Sequence, residues 1–459
     1  MDTNIFTGAT DSNWGTDTNW SRGAIPTSAD GYIATFNASS PNCILGANRA
    51  AYYIDFTNYT GDINLGTYYL QVSSGTIFGS GMSVSGTGSF NLIQGNITSN
   101  GFMVPSLKII GSGKTYTLLD DLNVVNLILN GVTIDVLNGN TIYIGGNLTQ
   151  TSSATVSGTT NIIMNGTGTW SNASTGQLRN NLNITSSNVT ISGVVRYNTG
   201  TLTITVPVIH NASYLQVIST GVLDINSAGE FGTVQQTGNN TVTLLSDINC
   251  VNLILGATTA TTNFAGAYNI YVSGNYTINV TTGYVGGGNI IMTGNGTFAM
   301  PVLTAGSNRN NLTINTAGTI VFSGSITHIT GTITRTAGTI DATGSTLKIP
   351  IGTLDLNGAT LNNLNLIYSS NATLTLKSEV KIAGILSNSN SVATNDKIIS
   401  DVGGTQRKLT MLAGSSQTIT ALDATDIDSS AGYPIITNGV INNSPNWYAE
   451  LPNKMFLLF

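Results

Sequence analysis

Thr117-Leu-Leu-Asp-Asp-Leu-Asn-Val-Val-Asn-Leu-Ile-Leu129 returns as Thr243-Leu-Leu-Ser-Asp-Ile-Asn-Cys-Val-Asn-Leu-Ile-Leu255, an offset of 126 residues. A third, weaker copy with one residue deleted is Thr375-Leu-Lys-Ser-Glu-Val-Lys-Ile-Ala-Gly-Ile-Leu386. The motifs that follow keep their order. Ile142-Tyr-Ile-Gly-Gly-Asn-Leu-Thr149 matches Ile270-Tyr-Val-Ser-Gly-Asn-Tyr-Thr277, and Asn161-Ile-Ile-Met164 matches Asn289-Ile-Ile-Met292. Arg179-Asn-Asn-Leu-Asn-Ile184 matches Arg309-Asn-Asn-Leu-Thr-Ile314, with an echo at Asn362-Asn-Leu-Asn-Leu366. The offset drifts from 126 to 130, so insertions fall between motifs. This is tandem duplication of a unit made of several smaller ones.

Within each unit, short stretches such as Leu202-Thr-Ile-Thr-Val206 and Leu354-Asp-Leu356 alternate apolar with polar residues, punctuated by Gly, Asn or Ser. Such alternation describes strands with one buried face. Strands this short bury too little in an ordinary sandwich. As stacked coils each covers the next, and the interior becomes continuous Val/Ile/Leu ladders. Asparagines at the turns would stack too, passing amide hydrogen bonds between rungs. The expected fold is all-β: an elongated, right-handed parallel β-solenoid (β-helix) of short rungs with capped ends. At about 20 residues per coil and ~4.8 Å per rung it would reach on the order of 100 Å. Residues 1–45, with Trp14, Trp20 and Pro26, read as an N-terminal cap or attachment segment. Residues 46–425 read as the solenoid, with repeat units starting near 117, 243 and 375, and 426–459 as a C-terminal cap. An antiparallel sandwich is the alternative, disfavoured because regular two-residue hairpin turns are missing.

Composition narrows the function. Charged residues make up 8% of the 459, against roughly 25% in ordinary globular proteins. No apolar run reaches the ~20 residues of a spanning helix, so membrane insertion is not expected. A net charge of −6 offers no basic track for a phosphate backbone, which argues against nucleic acid. Cys43 and Cys250 sit in apolar contexts and read as buried free thiols rather than a disulfide. The N-terminus, Met1-Asp2-Thr3-Asn4-Ile5-Phe6, lacks a basic region followed by an apolar stretch. No secretory signal is therefore expected, and assembly into a virus particle released by lysis is one other route outside.

The opening Thr7-Gly-Ala-Thr-Asp-Ser-Asn-Trp-Gly-Thr-Asp-Thr-Asn-Trp20 runs into Ser21-Arg-Gly-Ala-Ile-Pro-Thr27 and Asp30-Gly-Tyr-Ile-Ala-Thr-Phe36. It resembles the start of β-solenoid repeat proteins of tailed bacteriophages, marine ones especially, and of some bacterial surface proteins. The stretch Asn311–Gly324 is similar to their repeats, as is the ending Asp426-Ile-Asp-Ser-Ser-Ala-Gly432 with Asn446-Trp447. The resemblance implies a virion or surface fibre component and carries over no functional residues.

Signals of chemistry are weak beside this. Gly111-Ser-Gly-Lys-Thr115 mimics a phosphate loop, but Lys108 stands where that motif needs glycine, and strand rather than helix follows. Its repeat equivalents, Gly238-Asn-Asn-Thr241 and Ser370-Asn-Ala-Thr373, have no lysine. Asp121, Asp247 and Glu379 recur in three repeats, many rungs apart, and read as turn-forming or solvated acids rather than a glycosidase pair. Asp120 beside Asp121 would point to the opposite face. Two histidines, His210 and His328, cannot build a His-rich metal site, and no Gly-x-Ser-x-Gly elbow occurs. Gly286-Gly-Gly288 lacks the aspartates of calcium-binding repeats. No catalytic residue, metal or cofactor is expected. Tyr52, Tyr53, Tyr59, Tyr68 and Tyr69 carry the one binding hint. Exposed, they would stack on sugar rings; buried, they would fill the core or a subunit interface, which is the favoured reading.

The expected function is a non-enzymatic virion fibre or spike that presents a surface for host attachment. It would be made in the host cytoplasm and partnered by other virion proteins and a host-surface glycan. Lateral apolar faces and capped ends favour a trimer or another symmetric homo-oligomer. The alternatives are a capsid decoration protein, a bacterial surface adhesin and a glycan-cleaving tailspike.

Overall fold

A computed structural model describes residues 2–450 except 112–113, 131–132, 137–138, 152–154, 158–160, 173–176, 180, 219, 226–228, 238–240, 257–261, 280–283, 301–306, 329, 367–371 and 389–395. The chain divides into two compact units, Met1–Gly229 and Glu230–Phe459. Each is a β-solenoid of stacked coils whose strands pair in parallel with strands about twenty residues away. This pairing excludes the antiparallel sandwich. The one helical segment among the described residues is the 3-10 turn Asp17–Asn19.

In the first unit, Thr3–Ile5, Ile33–Thr35, Tyr53–Asp55 and Gly75–Ile77 open an eight-stranded parallel sheet. Arg49–Ala51, Tyr69–Val72 and Ser89–Leu92 start a second, and Cys43–Ile44, Asp62–Asn64 and Ser83–Ser85 form a third. The early coils therefore have three sides. In-register parallel pairing sets like residues above one another, so a period of two in sequence becomes a column in space. Leu70, Phe90, Leu107, Leu127, Leu148, Trp170 and Ile191 form one such column, each fully buried.

The second unit repeats the arrangement. Strand Leu122–Asn130 of the first unit feeds two strands of the next coil, through Leu122↔Ile142 and Leu127↔Leu148. Strand Ile248–Leu255 does the same, through Ile248↔Ile270 and Leu253↔Tyr276. The duplication read from sequence is thus a duplication of pairing pattern. Its core columns include Ile248, Ile270, Ile290, Leu312, Ile333, Leu354 and Leu376.

Aromatic residues fill the start of the first unit. Phe6, Trp14, Trp20, Phe36, Phe56 and Tyr59 are buried, with neighbouring ring centroids 4.7 to 6.0 Å apart. Trp20 donates its indole N–H to the Trp14 carbonyl at 2.9 Å. Asp11 organises the turn beneath: its carboxylate accepts from the Asn13 N–H and the Asn19 amide, which holds its pKa below the usual value. Late in the second unit Ile435–Thr437 pairs with Trp447–Ala449 and buries Trp447. The apolar run Met455–Phe459 lies outside the described residues.

Candidate functional site

Asparagines on the outer turns do structural work that the sequence hinted at. Asn126 donates its amide to the Pro105 carbonyl at 3.3 Å. The Asn147 backbone N–H and side-chain amide both donate to Asn126 Oδ1, at 3.1 and 2.9 Å. The Thr169 N–H then donates to Asn147 Oδ1 at 2.8 Å. The second unit copies the chain of bonds: Asn252 to Gly232, the Asn275 N–H to Asn252, and the Thr297 N–H to Asn275. A second ladder links Asn161, Asn181 and the Thr201 N–H, and its copy links Asn289, Asn311 and the Thr332 N–H. Asn126, Asn147, Asn181, Asn252, Asn275 and Asn311 each satisfy a backbone donor that a turn between strands would leave to water, and Asn161 and Asn289 accept from the side-chain amide of the next rung.

The recurring acids belong to the same system. Asp121 accepts the Thr141 N–H and Asp247 the Asn269 N–H, both at 2.7 Å. Asp120 binds backwards, to the Ser99 and Asn100 N–H groups, so the adjacent pair does not converge. Glu379 departs from the pattern, with Thr410 Oγ1 at 3.2 Å and Lys381 Nζ at 3.9 Å. After Gly111 the chain turns, Lys114 N–H to Gly111 O, directly into strand Thr115–Leu118. Ser112 and Gly113, and most of the two equivalent loops, lie outside the described residues. Among the described residues no three His, Cys, Asp or Glu side chains gather as a metal site. Cys43 and Cys250 are buried free thiols, and burial pushes both well above the ordinary thiol pKa.

The five tyrosines do not form one site. Tyr59 is a core residue whose hydroxyl donates toward the Pro41 and Asp62 carbonyls, both at 2.9 Å. Tyr53 lies half-buried on the first sheet, in register with Ile33, its ring close over Gly75. Tyr69 is exposed on the second sheet, Tyr68 is exposed beside Gly66, and Tyr52 is half-buried.

What the sequence reading passed over is an outward column that occurs twice. In the first unit Asn123, Tyr143, Ile163, Asn183 and Thr203 stand one above another on successive rungs. In the second, Asn249, Tyr271, Ile291, Thr313 and Thr334 occupy the equivalent places. All ten are half-buried on the outer face. An open depression of about 190 Å³ in the first unit is lined by Asn161, Ile163, Asn181, Asn183, Thr201 and Thr203. Another, of about 330 Å³, lies over Thr332, Thr353 and Thr375 in the second and is lined by none of the five residues of its column. The paired motifs around Tyr143 and Tyr271 were the available signal, and they served only as evidence of duplication.

His210 is half-buried, its Nδ1 2.9 Å from Ser213 Oγ. His328 is fully buried. Asn308 joins it, Nδ2 to Nδ1 at 3.3 Å, and also accepts from the Tyr276 hydroxyl at 3.2 Å; Asn310 donates to that hydroxyl at 3.1 Å. The bridge Asn308↔His328 corresponds in the first unit to Leu178↔Tyr197, so an apolar rung has become a polar one. Desolvation holds the imidazole at about 4.

Compared with family models, with curated proteins and with solved structures, the chain matches none.

Proposed function

We propose that the chain is a structural and adhesive protein of a bacteriophage particle, a fibre or spike that offers its outer face to the host surface. The observation that carries this reading is the duplicated outer face on duplicated stacked coils: the sequence repeats not only its core but what it presents. Backbone bonds between rungs, asparagine ladders and a continuous apolar core make such units stiff and resistant to proteases. The resemblance of residues 7–36 and 426–447 to phage solenoid proteins supplies the particle. Presentation rather than catalysis, and association with itself and with other particle proteins, belong to the same proposal.

The test is immunogold labelling with antibody raised against the recombinant chain, applied to particles concentrated from lysates of the source culture. Gold at a fixed position on tailed particles, with the chain co-sedimenting with them, is the expected result. Label confined to envelopes of uninfected cells contradicts it. A handful of copies per particle indicates a fibre, and dozens or more indicate a capsid decoration protein.

A further inference from the structure

We propose that the outward columns centred on Tyr143 and Tyr271 are two equivalent binding stripes for an uncharged glycan chain. The inference rests on the reading of this protein as a presenting surface and names what that surface takes.

The first argument is internal conservation. Four of the five outward pairs are identical between units: Asn123/Asn249, Tyr143/Tyr271, Ile163/Ile291 and Thr203/Thr334, with Asn183/Thr313 the exception. The ten positions immediately flanking these on the same strands keep only five identities, although most of them form the core. Duplicated copies under selection for folding alone should drift faster outside than inside. Retention of outward-facing, half-buried polar and aromatic residues marks binding instead.

The second argument is that in the first unit the fold makes no polar use of these side chains, whereas in the second the Asn269 amide reaches the Tyr271 hydroxyl at 3.4 Å. Neighbouring Asn181 and Asn311 bond backbone groups of the next rung, which explains their retention. Among the described residues no hydrogen bond engages the side chains of Asn123, Tyr143 or Thr203. An outward tyrosine directly beneath an outward isoleucine is an apolar platform. Gly145 leaves space beside it, since a Cβ there would meet only the Val124 carbonyl, at 3.8 Å.

Chemistry selects the ligand. The platform suits the C–H face of a sugar ring, and the Asn123 amide and Thr203 hydroxyl along the stripe both donate and accept, as hydroxyls require, while the Asn183 Oδ1 is turned into the protein. The column residues themselves carry no charge, and carboxylates stand at its margins: Asp224 next to Thr203, Asp355 next to Thr334, and Glu230, which reaches past Asn249 to the Ser273 hydroxyl beside the Tyr271 rung. A polyanion would be repelled there and a neutral glycan would not.

Affinity electrophoresis of the full chain through gels containing galactomannan, laminarin or dextran tests this, with alginate as the acidic control. At least one neutral polysaccharide should retard the chain and alginate should not. Tyr143→Thr or Tyr271→Thr should weaken retention about tenfold, and the double variant should abolish it, whereas the double Tyr→Phe variant should retain it. Threonine suits an outward strand position, and an unchanged thermal transition confirms folding. The proposal is overturned if no neutral polysaccharide retards the chain, if alginate does so equally, or if the double threonine variant behaves as the parent. It is also overturned if that variant instead dissociates an oligomer in light scattering, which would make the face a self-association surface. Particle labelling without retardation removes the stripes but keeps the virion reading. Retardation without particle labelling does the reverse.

Discussion

His328 shows what a single residue does in this architecture. Its ring sits in a core column, with Asn308 on Nδ1 and the neutral Tyr276 and Asn310 behind it. Free histidine titrates near 6.5, and burial disfavours the charged form, so the folded value falls to about 4. Between these limits the unfolded chain binds a proton that the folded unit refuses. Stability is therefore full above pH 6.5 and is lost as pH falls toward 4, by about 3 kcal/mol in all. His328→Gln does not titrate, so its thermal transition should fall less than the parent's between about pH 7.5 and about pH 4.5. Parallel falls would mean that His328 does not set the acid limit. The asparagine ladder gives a second test. Asn147→Ala removes the acceptor of the Thr169 N–H, and Asn275→Ala that of the Thr297 N–H. Each should cost about 1 kcal/mol in urea unfolding, and a null effect at both would mean water replaces the ladder freely.

At the scale of the strand and turn, columns rather than contacts decide tolerance. Leu127 is fully buried between Leu107 and Leu148, so Leu127→Ala should cost about 2–5 kcal/mol. Leu119 is half-exposed, and Leu119→Ala should stay within about 0.5 kcal/mol. The turns are stricter. A Cβ on Gly166 or Gly168 would lie 2.1 or 2.0 Å from a carbonyl oxygen of the rung below, and Gly294 and Gly296 are equally close to theirs. Gly168→Ala should therefore destabilise more than Leu119→Ala, and equal transitions would refute the close packing of turns. These elements were legible because their causes are local. Alternation gives the strand, and recurrence of Val-Asn-Leu gives the ladder. The aromatic column Phe36–Phe56–Phe78–Phe102 was also written in the sequence, one ring per coil with centroids 5.0 to 6.4 Å apart, and its spacing alone would have set the coil length. The burial of His328 was not legible, because Ile326–Thr330 alternates without saying which face is inside. Nor was the scatter of the five tyrosines, since closeness in sequence crosses a corner between sheets within a few residues.

For the whole molecule, each unit couples a repeated interior to a repeated exterior. The apolar columns need only size and shape, which is why Val124 has become Cys250 and Trp170 has become Phe298 without change of pairing. The outer column has changed less than the residues flanking it, as the proposed presenting role requires. Both claims depend on in-register stacking of parallel rungs. Nitroxide labels on cysteines placed at Ile163 and Asn183, and separately at Ile291 and Thr313, measure it directly, since Cys43 and Cys250 are buried away from the reagent. One rung apart, the labelled positions should be about 5 Å from each other and couple strongly, whereas Ile163 with Thr203, two rungs apart at about 10 Å, should couple weakly. Strong coupling in both one-rung pairs and weak coupling in the two-rung pair is the predicted result. Uncoupled labels at 163 and 183 would contradict the stacked solenoid itself.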